Sequence, residues 1–156
     1  MAVHEQRHAV EELVYRTCLA LDAKDWKGFL GLCDPGFRYS ITTFSPEIKK
    51  DMVWLDHDRA GMETLFGNLP KHNSDHSPIT RHATVYTVAF DEAKAQADVV
   101  SAVQVFRTAQ DGGATELFAV GHFHDTVKLY GGGAKLLNRN VRLDTRLLGF
   151  GYHIPF

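Results

Sequence analysis

The sequence predicts an α+β domain in which about three N-terminal helices lie in the concavity of a strongly curved antiparallel sheet. Apolar residues recur at helical spacing before Pro70, whereas four long strand patterns follow Pro78. The breaks between these strands are charged or glycine-rich, which is typical of hairpin connections. Because such long strands must coil or bulge, we expect a cone with a pocket between sheet and helices.

Three segments are predicted to be helical. The first has a single apolar stripe, made of Val10, Leu13, Val14, Thr17, Cys18 and Leu21. Asp25 is a suitable N-cap for a second, short helix, which the turn residues Asp34-Pro35-Gly36 end. A third helix is predicted from Arg59 to Leu69, and the polar residues from Pro70 to Pro78 are predicted to form a loop.

Five segments are predicted to be strands. Phe37 to Phe44 combines aromatic and β-branched residues, whereas Ser45 to Asp56 favours no single structure. The later strands are predicted at Thr80–Phe90, Ala95–Thr108, Thr115–Tyr130 and Lys135–Leu148. Their order and short connections predict an antiparallel meander, and residues 1–156 are expected to form one domain.

The composition excludes several classes of partner. With 17 basic and 19 acidic residues the net charge is −2, so neither nucleic acid nor an anionic membrane is an expected partner. No apolar run approaches the roughly 20 residues of a membrane-spanning helix, and no signal-type segment is visible at the start. Cys18 and Cys33 lie within apolar helical patterns, which favours a reducing compartment, and we expect the protein in the cytoplasm.

Nine histidines raise the question of a metal site. His122 and His124 share one face of a strand, and His72 and His76 lie four residues apart in the predicted loop. A site needs three or four converging ligands, and no recognised ligand spacing is present. We therefore expect no metal in this chain.

A set of three side chains is a candidate for acid–base chemistry. Tyr15 and Asp22 belong to the first helix and its end, and His82 opens the first long strand. A carboxylate with a raised pKa beside an imidazole could abstract or deliver a proton in the cone pocket. In the alternative interpretation, Asp22 caps a turn and His82 is a hydrogen-bonded core residue.

The last predicted strand has an apolar and a polar side. Leu137, Val141, Leu143 and Leu147 are expected to point inward. The polar side carries Asn138, Asn140, Arg142, Asp144 and Arg146. This side is either solvated or part of a protein interface, in which Arg142, Asp144 and Arg146 would take part; Arg139 or Arg142 could then pair with a carboxylate of another subunit.

The tail after Leu148 is rich in large apolar residues. Phe150, Tyr152, Ile154 and Phe156 alternate with small or polar residues, so they share one side when the tail is extended. We expect this side to insert into a groove of another subunit. The alternative is that the tail folds back over the mouth of its own cone.

Three segments resemble a known family. They are Asp22-Ala23-Lys24-Asp25-Trp26, Thr80-Arg81-His82 and Val141-Arg142-Leu143-Asp144-Thr145. The last segment is the most specific, whereas the first is shared by cone-shaped folds similar to nuclear transport factor two, including SnoaL-like and scytalone-dehydratase-like enzymes. Together they resemble the small (beta) subunit of aromatic-ring-hydroxylating, Rieske-type dioxygenases over nearly the whole chain.

That resemblance implies a non-catalytic, structural subunit with the cone fold and no cofactor of its own. The Rieske 2Fe–2S cluster and the mononuclear iron would belong to a separate alpha subunit. Beta subunits of this family form trimers within assemblies of three alpha and three beta chains. The complex would insert dioxygen into an aromatic or related substrate, with electrons from NAD(P)H.

Val120 to Asp125 departs from the family pattern, because histidine and phenylalanine stand where relatives often show arginine or tyrosine. The substrate is therefore left open and includes non-aromatic compounds. A free-standing SnoaL-like dehydratase, isomerase or hydrolase that uses Tyr15, Asp22 and His82 is the alternative function. A cone-fold binding protein without chemistry is the third.

Overall fold

In the computed structural model, which describes residues 2–72, 74–148 and 155–156, three helices cover one face of a six-stranded sheet. The helices are α1 (Val3–Asp22), α2 (Trp26–Gly31) and α3 (Arg59–His72). The strands are β1 (Cys33–Ser45), β2 (Lys50–Asp58), β3 (Ile79–Asp91), β4 (Gln96–Thr108), β5 (Thr115–Tyr130) and β6 (Gly133–Leu143). The predicted α+β class is confirmed. Within the described residues, none of the helices combines the length and the apolar character that a membrane-spanning helix needs.

The helices form where the apolar periodicity places them. All six residues of the predicted α1 stripe are buried. Asp25 caps α2, because its carboxylate accepts a hydrogen bond from the Gly28 N–H at 2.9 Å. The predicted boundary of α3 is too early, since the helix continues through Pro70 to His72. Pro70 is tolerated in the last turn, where its missing N–H removes one helical hydrogen bond.

The strand order in the sheet is β2-β1-β6-β5-β4-β3. Strands β3 to β6 form the predicted antiparallel meander. The unassigned segment after Ser45 contains most of β2, which pairs with β1 as a hairpin. Asp34-Pro35-Gly36 does not stand outside the sheet as a turn, because these residues form the irregular start of β1. Strand β1 also pairs with β6 in parallel, which the sequence did not predict.

The sheet bends around α1, and register shifts mark the places where it does so. Shifts occur between Val85 and Thr87 in β3, between Val105 and Phe106 in β4, and between Thr126 and Val127 in β5. Each extra residue increases the local twist and curvature. The inward residues of β4 show the resulting core, and they are Ala97, Val99, Ser101, Val103 and Val105.

Strand β6 corrects one prediction. Asn138 lies opposite Thr126 and Leu136 opposite Val127, so the intervening residue Leu137 has no partner on β5. This extra residue reverses the inward alternation, since a slip of one residue exchanges the two faces of a strand. The inward side chains are therefore Leu136, Arg139, Val141 and Leu143. Leu147 does not belong to them, because it is 89% exposed.

Candidate functional site

The inner face of the sheet carries a buried ion pair. The Nε and Nη2 atoms of Arg139 donate to the two carboxylate oxygens of Asp125, each at 2.9 Å, and both side chains are 0% exposed. The third donor, Nη1, reaches the Thr17 hydroxyl at 3.0 Å, and the Phe123 ring lies 3.9 Å from the guanidinium carbon. Burial opposes the charge of Arg139, but the Asp125 carboxylate raises the pKa of Arg139 above its usual range. Arg139 is therefore a fixed interior cation and is not available to another subunit.

Asp22 is committed to an arginine. The Arg81 backbone N–H and its Nη1 both donate to Asp22 Oδ1, at 3.1 and 2.8 Å. The Arg81 side chain is 1% exposed, and that of Asp22 is partly buried. The start of β3 therefore places Arg81, rather than His82, beside Asp22.

His82 and Tyr15 lie elsewhere. Alternation along β3 turns His82 outward, and its exposed ring packs against the Phe106 ring with the two ring centroids 4.9 Å apart. Tyr15 is 40% exposed, and its hydroxyl accepts a hydrogen bond from the Val85 N–H at 3.3 Å. The structure therefore does not bring Tyr15, Asp22 and His82 together as an acid–base set, and His82 is not a core residue.

The end of the tail lies inside its own cone. Phe156 is 1% exposed, its N–H donates to the Tyr39 hydroxyl, and its main-chain oxygen accepts from the same hydroxyl, both at 2.9 Å. Arg81 Nη2 donates to the Pro155 carbonyl at 2.6 Å. Phe156 therefore takes the fold-back arrangement and is not presented to another subunit. Phe150, Tyr152 and Ile154 lie outside the described residues.

No three His, Cys, Asp or Glu side chains converge as a metal site within residues 2–72, 74–148 and 155–156. His122 and His124 neighbour each other on β5, with ring centroids 6.4 Å apart. Cys18 and Cys33 are buried free thiols. Burial raises the pKa of both, that of Cys33 to about 12, so neither supplies a thiolate near neutral pH.

We call the side of the sheet away from the helices the outer face. The predicted polar residue Arg142 lies here, where Nη2 donates to Asp51 at 2.7 Å and Nη1 to the Thr42 hydroxyl at 3.3 Å. Asn140 donates to the Ser40 and Thr42 hydroxyls. These bonds join β2, β1 and β6 across the outer face.

Residues 144–148 follow β6 at the edge of this face. Asp144 is exposed, and its backbone N–H donates to the Val120 carbonyl. Arg146 pairs with Glu47, which lies in the turn between β1 and β2. Arg142, Asp144 and Arg146 are thus near one end of the sheet and at least partly accessible.

Apolar side chains are exposed beside the Arg142–Asp51 pair. Phe44 is 48% exposed and Val53 is 62% exposed, and the strand register places both on the outer face. Sequence reasoning missed them because β2 was unassigned. The alternation along its partner β1 could have identified Phe44, because it places this side chain on the outer face. Exposed apolar groups among polar hydrogen bonds are typical of a protein interface rather than of a catalytic cleft.

The chain is similar to known proteins over most of its length. Residues 2–140 match the SnoaL-like domain family. Two relatives are the beta subunit of the methanesulfonate monooxygenase hydroxylase of Methylosulfonomonas methylovora, 42% identical, and the beta subunit of 2-aminobenzenesulfonate 2,3-dioxygenase of an Alcaligenes species, 31% identical. The alignments cover 94% of this chain in both cases, and 85% and 97% of the two relatives.

Solved structures share the fold at lower identity. A protein described as the beta subunit of an aromatic-ring-hydroxylating dioxygenase from Novosphingobium aromaticivorans superposes with a TM-score of 0.81 at 18% identity, covering 96% of this chain and 95% of that one. A chain of naphthalene 1,2-dioxygenase gives a TM-score of 0.73 at 19% identity, covering 95% of this chain and 83% of that one. At such identities these two matches show the fold alone.

Proposed function

Because the chain belongs to the SnoaL-like domain family and, within it, to the beta subunits of multicomponent oxygenases, we propose that its complex oxygenates a sulfonate. The observation that carries this proposal is the substrate named in both relatives. One is an alkyl sulfonate and the other an aminoaryl sulfonate, so the sulfonate group is what they share. The substrate is accordingly defined by its sulfonate and need not be aromatic.

This chain is a subunit of an oxygenase complex and is not itself catalytic. Its interior charges support that role. Arg139 and Asp125 satisfy each other, and Asp22 is held by Arg81, so none of them is poised to transfer a proton to a substrate. The role of the chain is structural, namely to position its partner subunit in the complex.

The partner is an alpha subunit that carries the redox metals. In this division of labour the alpha subunit holds a Rieske 2Fe–2S cluster and a mononuclear iron, and receives electrons that come from NAD(P)H. The beta subunit contributes no ligand to either metal. The naming of both relatives as beta subunits of oxygenases supports the presence of such a partner.

The assembly contains three alpha and three beta chains, with the beta chains around a threefold axis. The outer face supplies the contact between beta chains, with Phe44 and Val53 as its apolar part and Arg142 as its polar part. Asp144, Arg146, Phe150, Tyr152 and Ile154 take part in contacts with neighbouring subunits. Exposed apolar residues among hydrogen-bonding side chains support this arrangement.

A charge placed on the outer face tests the assembly. Val53→Glu puts a carboxylate into the proposed contact, and we expect sedimentation velocity at micromolar concentration to show a monomer instead of a trimer. Leu19→Glu is the matched control, because Leu19 is similarly exposed at 68% but lies on α1. A trimer in the Val53→Glu protein would contradict the proposed contact.

Oxygen consumption by the reconstituted complex tests the substrate. The beta chain is combined with a candidate alpha subunit and a reductase. Methanesulfonate and 2-aminobenzenesulfonate are compared with acetate and 2-aminobenzoate, which replace the sulfonate by a carboxylate. We expect oxygen uptake and hydroxylated product with a sulfonate and several-fold less with its carboxylate partner. Faster turnover of the carboxylates would contradict the proposal.

A further inference from the structure

Pro155 and Phe156 lie in the cone as a bound ligand would. The Phe156 ring is 1% exposed and lies 6.5 Å from the Phe118 ring, measured between centroids. The Tyr39 hydroxyl both donates to the main-chain oxygen of Phe156 and accepts from the Phe156 N–H, and Arg81 donates to the Pro155 carbonyl. An apolar ring and the adjoining peptide groups are therefore recognised separately.

The groups that bind these two residues come from distant strands. Tyr39 is on β1 and Arg81 on β3, and β6, β5 and β4 lie between them in the sheet. Only the curvature of the sheet allows both side chains to reach the same two-residue segment. Both are almost fully buried, so the contacts belong to the interior and not to the surface.

The interior has the chemistry of a binding site. Tyr39 offers one hydroxyl as donor and acceptor, and Arg81 offers a cationic donor. The Nε of Arg81 is buried and has no hydrogen-bond partner, so losing the Pro155 carbonyl would leave the guanidinium still less satisfied. These groups favour an occupant that brings a carbonyl and a ring together.

Arg81 also borders open space. A cavity of about 290 Å³ is lined in part by Leu21, Asp22, His76, Ile79 and Arg81 itself. It is therefore adjacent to the contact between Arg81 and Pro155.

We propose that the interior of the cone is a binding site for an aryl group joined to an amide, that the chain's own Pro155 and Phe156 fill it, and that an added ligand of this chemistry binds when they are removed. The site lies on the opposite side of the sheet from the proposed subunit contact. It is therefore independent of which substrate the complex oxygenates.

The test uses a variant that lacks Pro155 and Phe156, with acetyl-Pro-Phe as the probe in isothermal titration calorimetry. We expect saturable one-to-one binding with a Kd between about 0.05 and 1 mM, in keeping with the size of the ligand. Acetyl-Pro-Ala, which lacks the ring, should bind at least about tenfold more weakly. The unaltered chain should bind neither peptide, because its site is filled.

A second substitution tests the geometry. Tyr39→Phe in the shortened variant removes the hydroxyl and should weaken acetyl-Pro-Phe binding about tenfold. Far-UV circular dichroism shows whether the shortened variant is folded. Absence of saturable binding by a folded protein, or binding that ignores both the ring and the Tyr39 hydroxyl, would overturn the proposal.

Should the shortened variant not fold, Phe156→Ala with toluene as the probe replaces it. Toluene at about five times its Kd should raise the Tm by about 2–4 °C and leave the Tm of the unaltered chain unchanged. Phe29→Ala is the matched control for a cavity elsewhere. Phe29 is equally buried, but it belongs to α2 and packs against other rings. No rise in Tm with Phe156→Ala, or an equal rise with Phe29→Ala, would count against a dedicated site.

Discussion

Two arginines on β6 lie three residues apart and have opposite surroundings. Arg139 and its partner Asp125 are 0% exposed beneath α1. Arg142 and its partner Asp51 are 32% and 55% exposed on the outer face. Both arginines make short contacts to a carboxylate, so the contact distance alone does not distinguish them.

Burial is what separates their roles. Arg139 has lost its hydration, and each of its three guanidinium nitrogens donates to Asp125 or Thr17. Arg142 keeps part of its hydration and can exchange one partner for another at little cost. The inner arginine therefore fixes the cone, while the outer one is available for recognition.

Breaking the inner pair should have the largest effect. Arg139→Leu leaves the Asp125 carboxylate buried without a counterion, and we expect a loss of about 3–5 kcal/mol in the free energy of unfolding, measured in urea. The double variant Arg139→Leu with Asp125→Leu should regain part of that loss. A double variant no more stable than Arg139→Leu would show that the unpaired charge is not the cause.

Replacing Asp22 should reduce the stability by an amount between those expected for the two arginine pairs. Asp22→Ala removes the acceptor for two donors of Arg81, and we expect a loss of about 1–3 kcal/mol. His82→Ala is the control, since the exposed ring should contribute less than about 0.5 kcal/mol. Oxygenase activity of both assembled variants should follow the amount of folded protein. An assembled, folded His82→Ala complex without activity would restore the acid–base hypothesis.

Asp34 offers a test through pH. Its pKa is lowered, first by the hydrogen bond from the Tyr130 hydroxyl and then by the Gly36 N–H. A carboxyl with a lowered folded pKa stabilises the fold above its unfolded pKa of about 3.9, and this is lost as pH falls through the lower folded value. Tyr130→Phe should therefore reduce stability at pH 6 and flatten its decline below about pH 4, as followed by thermal melts. If stability declined in the same way below about pH 4 in the Tyr130→Phe protein, the Tyr130–Asp34 hydrogen bond would not be the cause of the decline.

The outer pair should show the smallest effect on stability. Arg142→Ala removes an exposed contact with Asp51, and we expect a change of less than about 1 kcal/mol in urea unfolding. Added salt should reduce even this difference. Arg16→Ala is a matched control, because Arg16 is an exposed arginine paired with Glu12 on α1. A loss comparable to that of Arg139→Leu would erase the distinction between the faces.

Periodicity and turn chemistry predict much of this fold. The α1 stripe is correct because a helix at the core repeats its apolar residues at a fixed spacing, whatever the sheet does. The limits of β5 are correct because glycine and polar turns bound it. The family expected from Asp22–Trp26, Thr80–His82 and Val141–Thr145 is confirmed by the relatives.

The candidate site was less predictable, for identifiable reasons. Arg139 alternates in step with the inward residues Val141 and Leu143, but a charged side chain is normally expected at the surface. The inward position expected for Leu137 is wrong for another reason, because Leu137 is the extra residue of a bulge and a bulge leaves no mark in a hydrophobic pattern. A buried arginine also depends on a partner from another strand, here Asp125. The same limit applies to Phe156, whose binding groups Tyr39 and Arg81 lie on strands that only the curvature brings near.

The parallel pairing of β1 with β6 constrains how the protein is made. Thr43 donates to the Leu143 carbonyl across 100 residues of chain, and Ile41 lies opposite Val141. During synthesis, β1 leaves the ribosome early but cannot acquire this neighbour until almost all of the chain has followed. Until then its edge is open to incorrect pairing, and closing so long a loop slows folding. The amino-terminal half of the chain must therefore avoid incorrect pairing of this edge until translation is almost complete.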